Sequence, residues 1–451
     1  MTTPSLYHEA LRPQFHFTAA RNWLNDPNGL VHHNGEYHLF FQHNPHGLEW
    51  GNMTWGHAVS TDLLRWRQLP DAIEPDAEGT IFSGSAVVDT LDTGGFGKGA
   101  ETAIVALFTV ARPDSAGIKS PYVQSLASST DCGRSWTRYA GNPVIPFIAE
   151  GNRDPKVVWH APTRKWVMTL YLKDDSFAFF NSPDLKNWRH LHDMTVPGTS
   201  ECPDFFEMPI LGGDGGSKWV WTAADGRYLV GSFDGHRFTT ETGLLQAEYG
   251  RNSYAVQTFS DILPEDGRRI QIAWMREGKY PGMPFNQQMS IPCELQLRST
   301  PSGPRLTKLP VREIESLHEP GHHWANLALQ PGANPLSELK GDLWHIRAEI
   351  EVGDAAQVGF RIRGEAAVFD AREGRISCLG ASAPMKARDA RIRLELLIDR
   401  TSVELFGNDG EVALTSCFLP SADDHDLELF TTGPPARVIS MEAYPLRSVW
   451  P

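Results

Sequence analysis

Short apolar runs separated by polar turns fill the first two thirds of the chain. Residues 36–41 (EYHLFF) and 56–60 (GHAVS), closed by the polar turn 61–66 (TDLLRW), are echoed by 165–171 (KWVMTLY), 177–180 (FAFF) and 182–188 (SPDLKNW). A third echo joins 218–222 to 228–238, and a weaker one ends at 129–136 (STDCGRSW). Each unit predicts two or three short strands and a turn whose acid precedes an aromatic residue. The closing aromatics Trp66, Trp136, Trp188 and Phe238 stand 70, 52 and 50 residues apart, the period of a four-stranded propeller blade and not of a helical solenoid. A fifth unit runs from residues 253–259 through 269–274 to 294–297, so five blades fit the length. A β-sandwich with accidental internal similarity is the alternative.

After Ser299 the texture changes. Pro301-Ser302-Gly303-Pro304 breaks the chain, residues 311–317 predict a short helix, and from Trp324 onward runs such as 345–352 and 391–396 alternate apolar and polar residues. Period-two alternation predicts antiparallel sheets with one wet face. The expectation is an all-β protein: a five-bladed β-propeller over residues 1–305, a linker over 306–323, and a C-terminal antiparallel β-sandwich over 324–451.

Composition narrows the function classes. A net charge of −14 would repel nucleic acid and anionic bilayers, and the longest apolar stretch, residues 103–110, is too short to cross a membrane. The first nine residues show neither a basic flank nor an apolar core of a leader, which points to the cytoplasm or to a mature form. Five cysteines, never closer than 39 residues, argue against a disulfide framework or a CxxC metal site. HExxH is absent, Lys98 in the glycine cluster 94–99 is followed by Gly99 and not by Ser or Thr, and Ser83-Gly84-Ser85 does not satisfy GxSxG. No metal or cofactor is expected, and the sequence sets no oligomeric state.

Acids in apolar or aromatic company remain. Asp26 precedes Pro27-Asn28-Gly29, which reads as a turn. Asp154 follows Arg153, a guanidinium expected to keep it ionised. Glu201 precedes Cys202-Pro203-Asp204-Phe205-Phe206, where desolvation is expected to raise its pKa as a general acid requires. In a propeller the first strands of successive blades converge on one axial end, and Asp154 and Glu201 are 47 residues apart, about one blade. A nucleophilic carboxylate beside a protonated one is what cleavage of a glycosidic bond needs, since the transition state is an oxocarbenium ion and the leaving oxygen must be protonated.

Several motifs together resemble glycoside hydrolase family 32, the invertases, inulinases and levanases. They are Trp23-Leu24-Asn25-Asp26-Pro27-Asn28-Gly29, with Leu24 where the family usually has Met, residues 40–45 (FFQHNP), 50–57 (WGNMTWGH) and 82–85 (FSGS), Arg153-Asp154-Pro155, Glu201-Cys202-Pro203, and 399–406 (DRTSVELF) in the sandwich. The resemblance implies Asp26 as nucleophile at C2 of fructose, Glu201 as acid/base and Asp154 as transition-state stabiliser. It also implies Asn25, Gln42, Trp50, Phe82, Ser83, Arg153 and Trp274 as the lining of the fructose subsite, and Cys202 against the acid/base. Glu248 stands where relatives commonly have Asp, which predicts a change at the outer rim, and residues 284–292 look like the levanase and exo-inulinase branch. The implied activity is a retaining, exo-acting β-fructofuranosidase on sucrose or fructan. A fructosyltransferase using the same intermediate and a non-catalytic fructan-binding propeller are the alternatives.

Overall fold

The computed structural model describes residues 6–451 apart from Ala100, Ala116, Asp214, Ala422 and Asp423; the first five residues, on which part of the leader reading rests, lie outside it. Five four-stranded antiparallel meanders occupy the first 310 residues, and their innermost strands are Asn22–His33, Thr80–Asp89, Arg153–His160, Asp204–Leu211 and Ser253–Thr258. Each inner strand packs on the next, and the fifth packs on the first, so the meanders close into a propeller around an axis. Between the meanders lie apolar layers such as Val31, Phe40, Trp55 and Phe108, or Phe177, Phe205, Trp219 and Trp221.

The sequence repeat has a structural cause. In four meanders one aspartate closes the turn into the outermost strand by accepting backbone N–H groups: Asp62 from Leu64 and Arg65, Asp131 from Arg134 and Ser135, Asp184 from Lys186 and Asn187, Asp234 from His236 and Arg237. An Asx turn of this kind satisfies N–H groups that the sheet leaves unpaired. The fifth meander lacks it, and its outermost strand, Arg305–Pro310, begins where the sequence reading ended the propeller, pairing with Cys293–Arg298 across its whole length.

A 3-10 helix, Arg312–Leu317, buries Ile314 and Leu317 and leads into two stacked sheets of six and five strands. In the strand Trp344–Glu351 the residues Ile346, Ala348 and Ile350 face the sandwich core while Arg347 and Glu349 are only partly buried, the expected alternation. The two domains share one apolar cluster that includes Phe15, Ile314, Leu397, Phe406 and Trp450. Buried charges stitch the same junction. His16 lies between Asp399 (2.8 Å) and Glu404 (2.9 Å), and Lys308 pairs with Glu248 at 2.8 Å. Glu248 also accepts from the N–H and hydroxyl of Thr415, so it fastens the propeller to the sandwich and does not belong to the outer rim where the sequence reading placed it. All five cysteines are free; Cys293 and Cys378 are buried and the other three half-buried.

Candidate active site

The site opens where the inner strands begin. Near this end the strands carry irregularities: register shifts fall between Leu24 and Pro27, between Ile81 and Gly84, opposite Asp154 between Thr169 and Tyr171, and between Tyr254 and Gln257. A β-bulge leaves extra residues unpaired and turns their side chains out of the ladder. Asn25 and Asp26 occupy the first bulge and Phe82 and Ser83 the second, while Asp154 adopts φ 62°, Glu201 φ 56° and Cys202 φ 40°. Asp26-Pro27-Asn28-Gly29 is therefore not a turn but part of a twelve-residue strand bent by bulges. Gly29 is needed there: at φ 53°, a Cβ would come within 2.8 Å of Phe40 and 2.9 Å of Trp55.

All ten residues expected at the site line one cavity of about 370 Å³: Asp26, Glu201, Asp154, Asn25, Gln42, Trp50, Phe82, Ser83, Arg153 and Trp274. The sequence reading missed Tyr122, Tyr254 and Arg276, and it placed Cys202 against Glu201 only. No motif frames the first three, since each enters the cavity only because its strand or loop begins at this end of the propeller.

Beyond the carboxylates the inner strands are cross-braced around the axis. Gln257 accepts from the Leu30 N–H (3.1 Å) and donates to the Gly84 carbonyl (3.1 Å), bracing the fifth inner strand to the first and second. One level down, Lys156 donates to the Thr258 carbonyl (2.6 Å) and pairs with Asp204 at 3.4 Å, spanning the third, fourth and fifth. These side chains tie all five inner strands together beyond the carboxylates.

Asp26 accepts from Ser83 Oγ at 2.6 Å and from Asn25 Nδ2 at 3.0 Å. Burial outweighs both bonds and, with the charge of Glu201 nearby, raises its pKa above the usual carboxylate value. Asp154 accepts from the Cys202 N–H at 3.1 Å, while its own N–H donates to Thr109 Oγ1 at 3.0 Å. The Cys202 thiol sits between the two aspartates, 3.7 Å from Asp26 and 3.5 Å from Asp154. Glu201 is held from two sides: Arg153 donates to Oε1, and the Tyr254 hydroxyl donates to Oε2 at 2.5 Å.

This arrangement reverses two expectations. Burial raises Asp154 from 3.8 to about 7 despite Arg153, whose nearest nitrogen stays 3.8 Å away. Glu201 is lowered although burial acts against it, because Arg153 and the Tyr254 hydroxyl outweigh desolvation. The guanidinium neutralises the acid it touches, not its neighbour in sequence. Arg153 itself lies over the ring of Tyr171 at 4.7 Å and Arg276 over that of Tyr254 at 4.4 Å. Among the described residues no group of three or more His, Cys, Asp or Glu side chains is placed to hold a metal ion, and no helix is long and apolar enough to cross a membrane.

Two family models match the chain, the glycosyl hydrolases family 32 N-terminal domain over residues 16–310 and the family 32 C-terminal domain over 313–445. A levanase from Bacillus subtilis (strain 168) is 40% identical over an alignment covering 99% of this chain and 72% of that protein. The extracellular exo-inulinase inuE of Aspergillus niger is 31% identical, covering 98% of this chain and 96% of the relative. In three dimensions the chain is similar to the crystal structure of exo-inulinase from Aspergillus awamori, with a TM-score of 0.90 at 29% identity, covering 98% of this chain and 100% of that one. A propeller carrying three carboxylates at one axial end, joined to a sandwich and matched along both domains, identifies the chain as a glycoside hydrolase belonging to family 32.

Proposed function

We propose that the protein is a retaining, exo-acting β-fructofuranosidase that removes terminal fructose from sucrose or from inulin-type or levan-type fructans. The observation that carries this reading is the convergence of Asp26, Asp154 and Glu201 in one axial pocket at the beginnings of the inner strands, with Gln257 and Lys156 bracing those strands to one another beyond it. An axial pocket ringed by five inner strands takes a chain terminus in place of a polymer lying across it, so cleavage proceeds one unit at a time.

In this reading an Asp26 oxygen attacks C2 of the fructosyl ring, the bond from C2 to the leaving oxygen breaks, and Glu201 gives its proton to that oxygen. Water then adds to C2 while Glu201 takes its proton back, and the Asp26 ester opens with the configuration retained. Ser83 and Asn25 keep the Asp26 oxygens aimed. Asp154, within reach of ring hydroxyls, stabilises the oxocarbenium ion. Trp50, Phe82 and Trp274 flank the ring with apolar surface and help exclude water. Glu201 is ionised in the unliganded site, so its proton must be taken up as substrate enters: a bound sugar strips the remaining water and competes for Arg153, and both changes favour the neutral acid.

Time-resolved product analysis on sucrose, inulin and levan tests the reading. Fructose as the first and dominant product, with slow loss of polymer viscosity, supports it; early di- and trisaccharides with a rapid viscosity drop show an open cleft, and dominant transfer products show a fructosyltransferase.

A further inference from the structure

We infer that Tyr122 is a specificity-determining residue that receives the sugar unit on the leaving-group side of the scissile bond, and that it tunes this chain toward fructan over small fructosides. The inference deepens the fructosidase reading and rests on it.

Three tyrosines surround the site, and two of them are committed to the protein. The Tyr254 hydroxyl donates to Glu201 at 2.5 Å, and the Tyr171 hydroxyl donates to the Asp174 carbonyl at 3.3 Å. Tyr122 lines the same cavity and is only half-buried; its ring packs on Phe82 and under the Arg153 guanidinium at 5.8 Å, but its hydroxyl has no protein partner among the described residues. A phenol whose polar tip is uncommitted at the wall of a sugar-sized cavity is built to meet a ligand, since tyrosine offers an apolar face and a hydroxyl together.

Its place in the propeller says which part of the ligand it meets. Phe82 stands on the inner strand of the second meander, whereas Tyr122 opens the third strand of that meander, Tyr122–Ser129. Two strand spacings separate them, about 10 Å outward from the axis. The rings nevertheless touch in an arc along the cavity wall with Phe82 at its middle: Trp50 meets Phe82 at 5.8 Å between centroids, and Phe82 meets Tyr122 at 5.4 Å. Both ends of the arc face the mouth: Tyr122 is half-buried, and Trp50 is 58% exposed on a loop fastened by Asn44 and Asn286 bonds to the Glu49 and Leu48 carbonyls. Because the carboxylates sit at the strand beginnings, where the cavity opens, the leaving unit lies on the mouth side of them, beside this arc. On the side of Glu201, Tyr254 is held by its bond to that carboxylate and by Arg276 over its ring.

The test compares kcat/KM for wild type, Tyr122→Ala and Tyr122→Phe on inulin, on levan and on methyl β-D-fructofuranoside, whose leaving group carries no ring. We expect Tyr122→Ala to lose at least about tenfold more on the polymers than on the methyl fructoside, chiefly through KM, with Tyr122→Phe between the two proteins because it keeps the stacking face. Equal fractional losses on polymer and methyl fructoside, or a Tyr122→Phe protein as impaired as Tyr122→Ala, would overturn the assignment of Tyr122 while leaving the fructosidase reading intact. A wild-type protein that releases fructose from none of the three substrates would overturn both.

Discussion

Two clusters of buried charge hold carboxylates out of water in this protein, and they handle them in opposite ways. At the domain junction donors are abundant. Asp399 accepts from the N–H groups of Gln14, Phe15 and Arg400 and from His16, and Glu248 accepts from Lys308, Thr415 and Gly250; both acids lie below their ordinary pKa. At the pocket three carboxylates share few donors, and among the described residues the cation within ion-pair distance, Arg153, is spent on Glu201. Asp26 and Asp154 are consequently raised by burial and mutual repulsion. Burial alone does not separate a structural ion pair from a reactive site; the supply of donors does.

The sharpest way to break this comparison is to remove charge from each cluster. Asp26→Asn should lower kcat by about 10⁴-fold or more, because an amide cannot form the fructosyl ester, while the unfolding temperature stays level or rises as repulsion in the pocket is relieved. A folded variant with near-wild-type turnover would remove Asp26 as nucleophile.

Next in size, Glu201→Gln should slow hydrolysis of sucrose and fructan by about 10²- to 10⁴-fold but affect an activated aryl fructoside far less, since only poor leaving groups need the proton. Equal losses on both substrates count against Glu201 as the acid.

At the junction the effect should fall on stability instead of turnover. Lys308→Met leaves the carboxylate of Glu248 buried without its cation and should cost about 3–5 kcal/mol in chemical unfolding, with kcat on sucrose little changed. An unaltered midpoint would show that Thr415 and Gly250 suffice for Glu248.

The smallest expected effect is in the pH dependence of the melting temperature. His16 is raised from 6.5 to about 9 by Asp399 and Glu404, which together outweigh its burial, so its contribution is fully present below about pH 6.5 and lost as pH rises through about 9. The deficit of His16→Gln relative to wild type should shrink over that window. Asp154 is raised from 3.8 to about 7, so its ionisation destabilises the fold progressively across that interval, and Asp154→Asn should gain on wild type as pH rises from about 4 to 7. Parallel pH curves for either pair would contradict the assigned protonation.

What the chain determines by itself is local. The Asp-turn repeat with its closing aromatics marks four of the blades, because each turn is made within a few residues, and alternating runs such as 345–352 mark the sandwich sheets, because period two is a property of a single strand. The three acids and their motif neighbours were legible as well, since they cluster in short segments: Asn25 with Asp26, Phe82 with Ser83, Arg153 with Asp154.

Tertiary structure decided what depends on contacts between blades. Bulges at the strand beginnings aim Asp26 and Ser83 at each other across 57 positions of sequence, and the motif 26–29, which reads as a turn, is drawn into a strand by the pairing of Pro27 and Asn28 with Phe41 and Phe40. Arg153 reaches Glu201, 48 positions on, in preference to the aspartate beside it, and so inverts the expected protonation of the pair. Glu248 passes from a supposed rim residue to a fastener because Lys308 and Thr415 arrive from other strands. Charge–charge energies follow distance in space and the donors at hand, and distance along the chain predicts neither.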